Sequence, residues 1–186
     1  MFSNVYWLAI ILVGIAGFVH VLAALWRERG WLPPDLARGQ LIYSERLFHG
    51  DRELPVVARV DRAYLVDGVI HLVELKTRPR VRVYETDVVE LSVQRVAVQI
   101  STGKAVSLIG TVVVQHTRSR KRFVRRVQLL DTAAVARLLR RRLLVLQGQA
   151  QPAATPYQGR CRTCEYRMEC KGVASARVYP IVTRFH

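Results

Sequence analysis

Residues 56–77, VVARVDRAYLVDGVIHLVELKT, are two runs rich in β-formers joined by Asp67-Gly68, and this turn constrains the chain more than any other feature. Asp-Gly favours a two-residue type I′ hairpin, in which the flanking residues pair directly. With Val66 opposite Val69, strand alternation places Asp61 directly opposite Glu74 on one face of the sheet, and Lys76 two residues further along that face. Two carboxylates facing each other across strands destabilise a sheet and raise one another's pKa unless a cation lies between them. A hard divalent cation, Mg²⁺ or Mn²⁺, removes the conflict, because one or two carboxylates hold it together with phosphate oxygens and water. Such a site activates water and stabilises charge developing on phosphate. Asp61 and Glu74 are thus the expected metal ligands. Lys76 is placed to orient or deprotonate the water or to neutralise the transition state, and Asp61, Glu74 and Lys76 form the expected catalytic set. The other reading of the same residues is an exposed sheet face carrying ordinary charges.

From Val5 to Trp26 there is no Asp, Glu, Lys or Arg, and these 22 residues have Trp7 and Trp26 near their ends. A run of that length predicts a membrane-spanning helix, with a buried core helix as the alternative. A cleaved signal peptide fits poorly, since no basic residue precedes the run and Trp26-Arg27-Glu28-Arg29 follows it. Arg27, Arg29 and Arg38 after the run place the C-terminal part in the cytoplasm of a single-pass inner-membrane protein. The net charge of +15 falls wholly on residues 27–186. That balance suits a polyanion, either nucleic acid or an anionic lipid surface, and composition does not separate the two.

The remaining order follows from pattern. Gly30-Trp31-Leu32-Pro33-Pro34 breaks a helix, Gln40 to Phe48 predicts a first strand, and the hairpin follows it. Apolar residues at helical spacing predict a helix over 85–100, stopped by Ser101-Thr102-Gly103. Strands are expected over 104–116 and 122–130, around the basic turn Thr117 to Lys121. Asp131-Thr132 then caps a helix to about Gln147. The expected organisation is a transmembrane anchor (1–26), a juxtamembrane linker (27–39), a mixed α/β core (40–148), a linker with a cysteine cluster (149–172) and a tail (173–186). The cysteines, Cys161, Cys164 and Cys170, form a C-x2-C-x5-C pattern. Closely spaced thiolates in a cytosolic chain more often bind metal than form disulfides.

Asp61 followed by Glu74-Leu75-Lys76 on consecutive strands resembles the core of the PD-(D/E)XK nuclease superfamily, in which the Asp and Glu bind metal and the Lys assists catalysis. The order of sheet, crossover helix, two strands and helix is similar as well. The resemblance implies a restriction-endonuclease-like core, with a mixed central sheet flanked by helices, over roughly residues 40–172. Where those families carry Gln and Tyr on the crossover helix, this chain has either Glu90 and Gln94 in their places or Gln94 as the Gln with the Tyr lost. The C-terminal segment from Pro156 to Cys170 resembles the iron-sulfur element of RecB-like exonucleases, including the CRISPR-adaptation exonucleases and AddB-type helicase-nucleases. That likeness implies an iron-sulfur cluster on Cys161, Cys164 and Cys170. The chain has no fourth cysteine. A histidine ligand such as His49, His116 or His186, a zinc site, a three-cysteine cluster or loss of metal remain open. Glu45 is the nearest upstream carboxylate.

The expected function is that of a membrane-anchored, divalent-metal-dependent DNA nuclease of exonuclease type, acting on single- or double-stranded DNA. The basic segments 118–126 and 137–142 would grip the nucleic-acid backbone. The alternative is a catalytically inactive membrane-bound module that keeps the fold to bind nucleic acid or lipid.

Overall fold

The computed structural model describes residues 13–19, 30–153 and 164–165. Its elements are α1 (13–19), α2 (Pro34–Arg38), β1 (Gln40–His49), β2 (Val57–Val66), β3 (Val69–Arg78), α3 (Glu85–Thr102), β4 (Ile109–His116), β5 (Arg122–Gln128) and α4 (Thr132–Leu146). The strands form one sheet in the order β1-β2-β3-β4-β5. Neighbours are antiparallel except β3 and β4, which are parallel and joined through α3. A parallel pair requires such a crossover.

The fold is therefore mixed α/β, but the expected N-terminal membrane span is corrected. No helix among the described residues is long and apolar enough to cross a membrane. The single-pass inner-membrane localisation falls with the span that implied it. Absence of charge is necessary for a span, whereas a continuous helix of bilayer length is what makes one. The other residues of 1–26 lie outside the described residues.

The hairpin forms as its turn dictates. Val66 pairs with Val69, and Asp67 (φ 48°) and Gly68 (φ 79°) both occupy the left-handed region that a type I′ turn needs. α3 begins where the Asp87 carboxylate accepts the Tyr84 N–H, and it ends at Gly103, left-handed at φ 66°. The Asp131 carboxylate accepts the Ala134 N–H and so caps α4. The strand expected over 104–116 starts later, at Ile109. Before it, Val106 forms only an isolated bridge to Ile70, and the Ser107 hydroxyl takes the Ile109 N–H.

Two apolar layers enclose the sheet. On one side Ile70, Leu72, Val112 and Val114 pack against Val88, Leu91, Val96 and Val98 of α3. On the other, Tyr64, Val73 and Val113 pack beneath Leu32 and Leu36. The apolar stretch Val112-Val113-Val114 of β4, covered on both faces, reads accordingly as a continuous apolar run. The segment expected to be a plain linker contains α2, a five-residue helix with a proline at its start. A helix this short is not stable alone. Leu36, 1% exposed, fixes it to the sheet, at roughly 2 kcal/mol for a fully buried leucine. Arg95, buried within α3, reaches Gln99 and Thr132 and so joins α3 to the first turn of α4.

One irregularity interrupts β2. Val60 and Ala63 both line the α3-side core although three residues apart, so strand alternation breaks between them, at Asp61-Arg62. The β2–β3 pairing reaches only Arg62↔Val73. The β1–β2 register passes from Ser44↔Arg62 to Arg46↔Val60, leaving Glu45 and Asp61 between the pairs, with Glu45 left-handed at φ 50°. The β1–β2 register itself is continuous across Asp61 and shifts instead between Leu41 and Tyr43, where β1 carries one extra residue.

Candidate active site

Just past the last β2–β3 pair, Asp61 Oδ2 accepts the backbone N–H of Leu75 at 2.8 Å. The carboxylate stands in for a backbone acceptor where β2 leaves the ladder. Leu75 lies between Glu74 and Lys76, so the bond pins Asp61 beside both. Glu74, 2% exposed, takes the Lys76 ammonium on Oε1 at 2.6 Å and the Gln94 Nε2 amide on Oε2 at 2.7 Å. Lys76 Nζ also donates to Glu90 Oε2 at 2.8 Å. The strand supplies Glu74 and Lys76 at a spacing of two, and the helix supplies Glu90 and Gln94 one turn apart, each period presenting its pair on one face. The residues expected from sequence, Asp61, Glu74 and Lys76, are thus brought together; Gln94 is buried against Glu74, and Glu90 reaches Lys76 from a half-exposed position.

The electrostatics are unbalanced. Lys76 pairs with Glu74 and Glu90, and Asp61 lies close enough to Glu74 to act on its charge, so one ammonium serves three carboxylates, a surplus of two negative charges when all are ionised. Burial pushes the Glu74 carboxyl above its usual range, and the charges of Asp61 and Glu90 push the same way against the bonds from Lys76 and Gln94. Burial draws Lys76 down, but its bonds to Glu74 and Glu90 outweigh this and raise it, so it stays an ammonium. Gln94 Oε1 is buried with no hydrogen-bond partner among the described residues. An orphaned buried acceptor beside surplus negative charge is a place where a donor or cation is wanted.

No group of three or more His, Cys, Asp or Glu among the described residues is arranged to hold a metal by itself. Two carboxylates with the remaining positions open is nevertheless the usual provision for Mg²⁺ acting on phosphate. Asp61 and Glu74 fit that role, and a divalent ion matches the local surplus in magnitude. Glu45 is exposed on β1.

Beside the site, Arg78 makes a two-pronged pair with Asp87 at 3.0 and 3.1 Å and stacks on Tyr84. Sequence reasoning does not reach this fastener between β3 and α3. Its only trace there is an arginine two residues past Lys76 and an aspartate in the first turn of the next helix. The basic segments divide. Arg118, Arg120, Lys121 and Arg125 are exposed, as are Arg137, Arg140, Arg141 and Arg142 of α4. Arg126 is paired with Asp35, and Arg122 lies over the Trp31 ring opposite Arg62. Cys164 is exposed; Cys161 and Cys170, and with them the expected cluster, lie outside the described residues, as does His186. His116 Nδ1 meets the Ser119 amide, and His49 is exposed.

No protein-family model matches the chain, and no curated protein matches it. Among solved structures, the chain is similar to a "Putative exonuclease" from Eubacterium rectale, at 15% identity and TM-score 0.48 over 86% of this chain and 61% of that one. It is also similar to the protein SSO0001, at 14% identity and TM-score 0.42 over 73% of this chain and 59% of the other. The chain thus spans about three-fifths of the length of either neighbour. At such scores the likeness carries no functional weight, and the chemistry of the site stands on its own residues.

Proposed function

We propose that the chain is a divalent-metal-dependent DNA nuclease of exonuclease type. The observation that carries this reading is the buried Glu74 set beside Asp61 and Glu90 with a single ammonium between them. A structural ion pair would be balanced. This group is short of two positive charges at a position open toward Lys76 and the half-exposed Glu90.

Asp61 and Glu74 would hold the cation, which when bound supplies positive charge to the scissile phosphate and makes water a stronger nucleophile. The chain's own residues do the rest. The Leu75 N–H fixes Asp61, and Gln94 fixes Glu74, so neither carboxylate must reorganise. Lys76 orients the attacking water and stabilises charge on the phosphate oxygens. Water forms the new P–O bond, the bond to the leaving oxygen breaks, and that oxygen takes up a proton. The exposed arginines of the β4–β5 turn and of α4 hold the DNA backbone, contacts that position the strand without reading sequence. Cys161, Cys164 and Cys170 belong to the same proposal as a metal-binding element, tested by the iron, sulfide and zinc content of the purified protein.

The test is to incubate the full chain with end-labelled single- and double-stranded DNA and Mg²⁺ or Mn²⁺, beside Lys76→Ala and a chelator. Cleavage lost in both controls supports the reading, and a folded protein that cleaves neither substrate sinks it. A second reading, a catalytically idle module that binds nucleic acid, is favoured by one observation: Glu90 already engages Lys76.

A further inference from the structure

We propose that Glu90 is a positioning residue that competes with the phosphate of an incoming nucleic acid for Lys76 and so sets how tightly the site takes a polyanion. The inference rests on the nuclease reading in taking that polyanion to be DNA. The three members of the ion-pair chain grade from interior to solvent, with side chains 3% exposed at Glu74, 22% at Lys76 and 49% at Glu90. Glu74 cannot leave, since both its oxygens are engaged and its departure would strand a charge in the core. Glu90 can, because its carboxylate regains water on release.

An ammonium has three N–H donors, and two are taken here. A phosphate approaching the third meets a carboxylate held on the neighbouring donor, and like charges so close in a half-buried setting repel strongly. Arg78, the next cation along β3, is committed to Asp87 by two hydrogen bonds. Phosphate binding therefore requires Glu90 to release Lys76, or a cation to neutralise it. The site is thereby tuned against adventitious anions and opened by a metal-bearing substrate.

The experiment measures binding of a fluorescent single-stranded oligodeoxynucleotide to the full chain with chelator present, so that nothing is hydrolysed. Glu90→Gln is expected to tighten binding about fivefold. Glu85→Gln, which removes an exposed charge from the first turn of the same helix, serves as the control and should shift binding less than twofold. In a Lys76→Gln background the effect of Glu90→Gln should shrink to that of the control, the signature of direct coupling in a double-mutant cycle. Unchanged or weaker binding by Glu90→Gln, or an equal gain without Lys76, overturns the proposal. Cleavage by the wild-type protein with Mg²⁺ or Mn²⁺ is read separately: its absence sinks the nuclease reading and leaves the binding cycle to decide the role of Glu90.

Discussion

Two buried carboxylates stand one strand-to-helix connection apart, Glu74 on β3 and Asp87 in the first turn of α3, and they are satisfied in opposite ways. Asp87, 4% exposed, faces a single arginine that matches it in charge and fork geometry, and it accepts the Tyr84 N–H besides. Nothing is left over. Glu74, 2% exposed, shares its lysine with Glu90, lies close enough to Asp61 to be pushed upward by it, and is anchored by a glutamine whose other oxygen is orphaned. Burial alone does not mark a functional carboxylate. The difference lies in balance: a matched buried pair fastens elements together, while a buried group with surplus charge is set for something still to bind.

The sharpest way to break this contrast is by activity. Lys76→Ala should lower DNA cleavage about 10²-fold or more, while Arg78→Lys should leave turnover within a few fold once loss of folded protein is corrected. Equal losses from both would erase the distinction between fastener and site.

Next in size is stability. Asp87→Ala strands Arg78 and removes the cap of α3, and should cost about 3 kcal/mol in urea unfolding. A cost below about 1 kcal/mol would mean that the fastener holds little.

Glu74→Gln should behave differently, through pH. The folded-state pKa of Glu74 lies above the ordinary glutamate value of 4.5. The stability it contributes is therefore fully present below that value and lost as pH rises through the folded pKa. In chelator, Glu74→Gln should gain on wild type between pH 4.5 and neutrality, with the two converging in acid. Urea midpoints at about pH 4 and pH 7 test the sign, and a variant that loses ground as pH rises would place Glu74 with Asp87 as a satisfied structural group.

The smallest effect is expected at the exposed pair Asp35–Arg126, matched but solvated. Asp35→Asn should change stability by under about 0.5 kcal/mol, measured in the same unfolding series. A larger change would show that matching, rather than burial, sets the value of a pair in this protein.

Much of the fold is legible because it is written in local periods. The Asp67-Gly68 turn sets the hairpin register, the 3.6-residue pattern after Glu85 marks α3, and Asp131 announces α4. The uncharged run before Trp26 suggests a span that no helix among the described residues provides. α2 escapes sequence reasoning because its stability comes from Leu36 against the far face of the sheet, a contact invisible in a five-residue, proline-led segment.

For the candidate site, sequence alone determined that Glu74 and Lys76 share one face and that the Asp67-Gly68 turn brings Asp61 to their level. The direct Asp61–Glu74 pairing expected from unbroken alternation does not form, because the β2–β3 ladder ends at Arg62↔Val73. Only the tertiary structure decided how they are joined. The end of the β2–β3 ladder at Arg62↔Val73 left the Asp61 carboxylate to take the Leu75 amide, and the packing of α3 chose which turn of the helix faces the strand. That packing brought Glu90 to Lys76 and Gln94 to Glu74. Register is a property of neighbours along the chain, whereas charge balance depends on which distant groups the core draws together, and on that balance the function of the site turns.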